Sequence, residues 1–390
     1  MTTTRGEGHL RPLLPFADAF REQGHDVLIA APESTTEAVL DAGHEAWALP
    51  EAPAAVSDAV SARAHAAEPE EANRIVVGEL FAGVHARAAL PGVMGAVAEW
   101  QPDALMHETC EFTAALVAER AALPSVRVAV HMAHLEAYIA RYAAASVDAL
   151  RAEVGVEADP DGDRLLAGPS VTLTPPALDG GVTEGHYREP VTALEIPPGA
   201  RDPRPLVYVS FGTVAPRSGA YPGAYRDAIE QLSALDVRVL LNTGRQDPAE
   251  LGPLPAGVHA RRWVREAQVL PHVSAMVSHA GAGSVRTALA AGVPMALAPR
   301  FGDQPLNARA VQEAGAGLIV ERPDRIGPTV KALLTDPAYA TTAVAIATEV
   351  DALPAAGEAI DVLQEASGFA PWANTRKGTW PPGPAFPAVT

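Results

Sequence analysis

Short apolar runs separated by stretches with helical spacing recur along this chain. Val27 to Ala31, Ala104 to Met106 and Val126 to Val130 have the length of strands, and the segments near Ser34 to Gly43 and Thr109 to Ala122 carry helical spacing between them. Continuous apolar strands are buried on both faces, and strands alternating with helices argue for a parallel sheet covered on both sides. The second half repeats the logic. Leu206 to Phe211, Val237 to Leu241, Ala275 to Ser278 and Met295 to Leu297 read as strands, with a helix near Tyr225 to Leu235 and another opening after Gly281. No sequence repeat relates the halves, yet both predict an α/β fold.

Proline and glycine cluster at Glu195-Ile196-Pro197-Pro198-Gly199-Ala200, which sets the expected junction: residues 1–195 as an N-terminal domain and 201–367 as a C-terminal one. Residues 368–390 hold Pro371, Pro381, Pro382, Pro384 and Pro387 with no apolar period, so they read as a disordered tail. The other end is odd as well. A helix from Leu13 to Gln23, stopped by Gly24, should follow a buried strand, but only Met1-Thr2-Thr3-Thr4 precedes the loop Arg5 to His9. A truncated first strand would leave apolar surface exposed on its neighbours, and the expectation is a start codon upstream of the one given.

Composition narrows the class. At 390 residues the chain is long enough for two cores, and two domains imply a cleft. A formal charge of −18 with no basic block would repel nucleic acid and anionic membranes. The single Cys110 excludes an internal disulfide, no basic and apolar leader opens the chain, and no stretch approaches the roughly 20 apolar residues of a membrane span. A cytoplasmic protein is expected.

The chemistry gathers around Val277-Ser278-His279-Ala280-Gly281-Ala282-Gly283-Ser284, an apolar strand running through two glycines into a helix start. Backbone N–H groups at a positive helix end form a seat for a diphosphate. Alone this signal is weak, because close strand–helix packing also selects Gly-x-Gly. Its neighbours strengthen it: Trp263-Val264, Val269-Leu270-Pro271, Ala291-Gly292-Val293-Pro294 and Asp303-Gln304-Pro305-x-Asn307-Ala308 follow in fixed order.

With that series the chain resembles the family 1 nucleotide-sugar glycosyltransferases of the two-domain GT-B fold, most closely the actinobacterial enzymes that decorate antibiotic aglycones. The resemblance covers nearly the whole chain and implies two Rossmann-like domains facing a cleft. It implies that Trp263 stacks on the nucleobase while the Val264 backbone reads its edge. His279 would donate to the diphosphate, with Gly281, the N–H groups near Gly283 and the Ser284 hydroxyl completing the anion site without metal or cofactor. Gly212 and Thr213, in Ser210-Phe211-Gly212-Thr213, would approach phosphate or sugar, and Asp303 and Gln304 would hold sugar hydroxyls. For Asp303 a helix N-cap is the alternative.

Two departures bear on the donor. Trp263-Val264-Arg265-Glu266 stands where the family commonly has Trp-x-Pro-Gln, and Thr287 stands in place of the glutamate that plant members use on ribose. A site without that carboxylate loses little if the sugar is 2′-deoxyribose, so a thymidine-diphosphate donor is favoured over a uridine one.

The acceptor half must supply a base. Gly6-x-Gly8-His9-x-x-Pro12 resembles the family's Gly-His-x-x-Pro turn, which implies His9 as catalytic base. Glu108 falls where relatives place the carboxylate that orients it, with Glu111 and His107 as competing partners. His107-Glu108-Thr109-Cys110-Glu111 looks like a zinc-protease motif but ends in Glu, so the two-histidine face is absent and no metal is expected. Asp159-Pro160-Asp161-Gly162-Asp163 reads as a solvated turn, Cys110 as a small buried residue, and His131 and His134 as either pocket wall or structural residues.

The expected activity is inverting transfer of a sugar, or deoxysugar, from a nucleoside diphosphate to a hydroxyl of a small hydrophobic aglycone. Acceptor loops are expected within Val56 to His85 and His131 to Ala167, and a homodimer is left open. A nucleotide-sugar epimerase of the same fold and a catalytically silent metabolite- or partner-binding homologue are the alternatives.

Overall fold

The computed structural model describes residues 1–181, 185–190, 197, 202–212 and 221–367. The expected junction at Glu195 to Ala200 lies outside them apart from Pro197, as do Thr213 and the tail 368–390. Packing divides the chain elsewhere than the proline cluster suggests. One compact unit is Met1–Thr172 joined by the segment from Ala355, and the other is Leu173–Pro354. The return of the chain to its first unit follows from local burial: Ala356, Ala359 and Leu363 are buried, and Gln23 donates to the Gly357 carbonyl (3.0 Å).

In the first unit β1 (Leu28–Pro32) pairs in parallel with β2 (Glu45–Leu49), and β3 (Leu105–Glu108), β4 (Ser125–Ala129) and β5 (Ser170–Thr172) form a second parallel set. Met1–Thr4 joins the two sets. Thr2 bridges Ala30 on one side and His107 on the other, both in parallel, and the Met1 amino group donates to the Leu28 carbonyl (2.6 Å). The first strand is thus short, but Thr2, Thr3 and Thr4 are buried in the central place, and β1 and β3 are covered rather than left open. The spatial order is β2-β1-(Met1–Thr4)-β3-β4-β5.

The second unit holds one six-stranded parallel sheet in the order β11-β10-β9-β6-β7-β8, from β6 (Leu206–Ser210), β7 (Arg238–Asn242), β8 (Val258–Arg261), β9 (Ala275–Ser278), β10 (Met295–Leu297) and β11 (Gly317–Ile319). Both units share the doubly wound order in which chain direction across the sheet reverses beside the first strand. In such sheets ligands bind at the strand C-termini flanking that reversal. Those places are the ends of Met1–Thr4 and β3 in one unit, and of β6 and β9 in the other.

One helical run was not anticipated. Residues Pro69–Trp100 are continuously helical over 32 residues, with a π-helical stretch at Ile75–His85, and by length and composition the run suffices to cross a membrane. This corrects the reading that no stretch approaches a membrane span. Alanine and glycine, with Glu79 and Arg87 among them, hide the run from a residue-by-residue count. Here Ala82, Ala86, Ala89, Leu90, Val93 and Val97 are buried in the first unit's core.

Candidate active site

The switch point of the first unit carries a His–Glu pair. Gly6, at φ +116°, turns the chain from the short first strand into the helical turn Glu7–Leu10, which presents His9. Its Nδ1 lies 3.1 Å from Oε2 of Glu108, the last residue of β3. Glu108 is completely buried, and each carboxylate oxygen also accepts a backbone N–H: Oε1 from Thr4 (3.0 Å) and Oε2 from Cys110 (2.8 Å). Burial alone would raise its pKa. The charge and hydrogen bond of His9 and the two backbone donors outweigh that cost and hold the carboxyl below its ordinary value. The Phe81 ring packs edge-on against His9, with centroids 5.4 Å apart.

The two competing carboxylate-pairing readings resolve by geometry. Glu111 accepts from the Thr2 hydroxyl (2.7 Å) and from the N–H groups of Thr113 and Ala114 (3.0 Å each), so it ties the helix Thr113–Ala121 to the first strand. His107 is buried, and burial pushes its pKa down. His131 and Thr109 both turn toward Glu136, an inner network rather than the dyad. A small opening lies beside Thr4, with Arg5, Glu51, Ser57, His85 and Phe112 among its walls. Burial and the nearby Arg5 push the pKa of His85 down.

The second unit's switch point holds His279. It follows β9 directly, while Gly212 stands two residues beyond the neighbouring β6. The two glycines do not simply admit a phosphate. A Cβ on Gly212 or on Gly281 would lie 2.5 Å from His279 Nε2, so both positions stay bare to seat the imidazole between them. Gly212 also needs its left-handed φ of +71°. Gly283, by contrast, has open space where its Cβ would be. Burial drives the His279 pKa down to about 4, against the pull of Asp303 and the Ser210 backbone and with help from Arg300. At neutral pH the ring is therefore uncharged, with a single N–H for which the Ser210 carbonyl competes.

The helix Ala282–Ala290 starts at Gly281, whose position carries no side-chain cap. Its first N–H groups are the unsatisfied donors that make a helix N-terminus an anion seat. Ala280 takes a left-handed φ of +64° between histidine and helix, a conformation L-residues seldom adopt. Asn307 holds it there, donating from Nδ2 to the Ala280 carbonyl (3.0 Å) and to Asp303 Oδ2 (2.7 Å).

Other expected donor residues fall into place unevenly. Trp263, after β8, presents an exposed ring, and Val264 beside it is buried. Ser284 donates to Glu266 Oε2 (3.2 Å), so its proton points away from an anion at the helix end. Gln304 uses Oε1 to accept the N–H groups of Arg300 (2.9 Å) and Phe301 (3.3 Å). Asp303 makes no capping bond to its helix and bonds Asn307 instead. Thr287 turns its hydroxyl to the Gly283 carbonyl within its own helix. Sequence reasoning passed over Asn307 and Arg300. The first stood in the ordered motif without a role; the second, whose guanidinium lies 5.8 Å from the Phe211 ring centroid, has no local signature among many arginines.

The EryCIII-like C-terminal domain family, described as erythromycin biosynthesis protein CIII-like, matches residues 226–366. Elloramycin glycosyltransferase ElmGT of Streptomyces olivaceus is 34% identical over 282 residues, spanning 70% of this chain and 71% of that protein. The chain belongs to the family 1 nucleotide-sugar glycosyltransferases. Its place is in their actinobacterial antibiotic branch, since L-demethylnoviosyl transferase of Streptomyces niveus is also 31% identical over 334 residues, 82% of this chain and 83% of that protein. The fold of this glycosyltransferase is GT-B: the spinosyn rhamnosyltransferase SpnG, solved with thymidine diphosphate, superposes with a TM-score of 0.76 at 19% identity, covering 93% of this chain and 99% of that one.

Proposed function

We propose that this glycosyltransferase moves a sugar, or deoxysugar, from thymidine diphosphate to a hydroxyl of a natural-product aglycone, with inversion, in the cytoplasm. The observation that carries the reading is the contact between His9 and a buried, ionised Glu108. With Nδ1–H directed at the carboxylate, Nε2 holds the free lone pair, and Glu108 stabilises the imidazolium that forms as the ring takes the acceptor proton. The activated oxygen attacks the anomeric carbon from the face opposite the leaving diphosphate, and one displacement inverts the centre.

On the donor side the role of His279, Gly281, Gly283 and Arg300 is to receive charge as the sugar–phosphate bond breaks. A neutral imidazole N–H, helix-end N–H groups and a nearby guanidinium are fixed dipoles and charge already oriented toward the place where negative charge develops. Trp263 supplies a face for the base, Asp303 and Gln304 contact the sugar, and the opening walled by Arg5, Glu51 and His85 lies on the acceptor side. No residue of the set requires a metal. The thymidine preference is supported by Thr287, which spends its hydroxyl on the Gly283 carbonyl and offers ribose no carboxylate, and by relatives solved with this nucleotide. Calorimetric titration with TDP and UDP tests the preference; tighter binding of TDP is expected, and clearly tighter binding of UDP would refute it. Incubating a TDP-sugar with candidate aglycones, and without any, tests transfer itself, since an epimerase would convert the donor alone.

A further inference from the structure

Among the described residues, His9, Glu108 and Cys110 bring an imidazole nitrogen, a carboxylate oxygen and a thiol sulfur within 4.8 Å of one another. The Cys110 thiol, unlike its backbone N–H, has no part in the transfer chemistry, and the residue is 2% exposed. We propose that these three side chains form a binding site for a thiophilic divalent cation, Zn2+ as the leading case, whose occupancy silences the base.

The donor set decides the class of ion. Calcium and magnesium demand oxygen cages, whereas one nitrogen, one oxygen and one sulfur suit zinc or cadmium. Three protein ligands leave a fourth tetrahedral place for water. Ligand atoms around zinc stand roughly 3.5 Å apart, so closing the set asks for side-chain shifts on the order of 1 Å. Charge also balances: a carboxylate, a thiolate and a neutral imidazole offset the ion's two positive charges at a site where an uncompensated charge would be costly. The way in is past His9, whose side chain is 19% exposed while that of Glu108 is wholly covered.

The consequence for catalysis follows from tautomers. Nδ1 is the nitrogen facing Glu108, so it is the one that binds the cation. Coordination expels the thiol proton to solvent, and the ring's remaining proton then resides on Nε2. That nitrogen has no lone pair left for an acceptor hydroxyl. The silencing step rests on His9 being the base; the binding site does not.

Cys110 is the single cysteine, which makes the readout clean. Titrating the metal-free full-length protein with Cd2+ alone should raise a thiolate-to-metal charge-transfer absorbance that saturates at one ion per chain. Cys110→Ser should abolish it, and His9→Ala should weaken cadmium affinity by at least about tenfold. Zn2+ should inhibit transfer, a chelator should restore it, and Cys110→Ser, measured against its own metal-free rate, should need at least about tenfold more Zn2+ for half inhibition. A missing absorbance, a cadmium affinity indifferent to His9→Ala, or equal zinc sensitivity in Cys110→Ser overturns the proposal. If no aglycone is glycosylated, the cadmium titration still decides the site, so the two readings fail separately.

Discussion

Glu108 faces His9 at 3.1 Å while both its oxygens accept backbone N–H groups. The carboxylate cannot be replaced by an amide without turning an NH2 against one of those donors. Glu108→Gln should therefore cost about 1–3 kcal/mol of stability as well as activity. His9→Asn, at a partly exposed turn, should lower kcat by about 10²–10⁴-fold and leave the urea midpoint close to that of the parent. Chemical denaturation beside steady-state kinetics separates these outcomes, and a His9 variant with full turnover would remove the residue from its assigned role.

The glycines of the donor seat should differ in tolerance. Gly212→Ala combines a positive φ with a Cβ 2.5 Å from the His279 ring. Displacing that ring should weaken TDP binding by at least about tenfold. Gly283→Ala meets nothing within 4 Å, and alanine is favoured over glycine within a helix, so its melting temperature should hold or rise. Calorimetric titration with TDP and thermal melts check both; a Gly212→Ala protein with unaltered affinity would show that His279 does not depend on that gap.

Asn307→Ala should act at a distance from any ligand. It frees the Ala280 carbonyl, in a fully buried residue at a left-handed φ, and the Asp303 carboxylate. Loss of those bonds should destabilise the protein by about 1–3 kcal/mol and raise the donor KM. Asn307→Asp, which keeps the size but cannot donate from that atom, should behave like the alanine variant rather than the parent.

Acid should destabilise the fold partly through His279. Burial holds its folded pKa at about 4, whereas an unfolded histidine titrates near 6.5. Between those values the unfolded chain binds more protons, so this contribution is complete above about pH 6.5 and is lost as pH falls toward 4, up to roughly 3 kcal/mol. His44, His85 and His107 are shifted downward by burial as well, so the total loss is shared. Urea midpoints measured across this range should fall less steeply for His279→Asn than for the parent. Equal slopes would mean that the imidazole is not held neutral.

How much of this was legible beforehand differs by residue. The strands Ala275–Ser278 and Met295–Leu297 stand where their apolar runs put them, and the glycine run does open a helix. The short Gly317–Ile319 strand and the half-exposed Glu45–Leu49 escaped notice, because neither carries a long apolar run. The helices from Ala54 to Trp100 were hidden by small residues and internal glycines, and only their packing against Ala133–Val154 shows which face is apolar.

By itself the sequence determined the class of the chain, the alternation of strand and helix, and the ordered motif from Trp263 to Ala308, because periodicity, glycine and proline act over a few residues. Tertiary structure decided the rest. It chose Glu108 over Glu111 and His107 as the partner of His9, a choice between residues one to three positions apart that depends on which side chains leave β3 toward the first strand. It turned Ser284 to Glu266, gave Gly212 and Gly281 an imidazole to seat, and returned the chain from Ala355 to its first unit. The reason is strand order. Two C-termini become neighbours only after the sheet has assembled, and the pairing of residues about a hundred positions apart leaves no trace in the spacing of either.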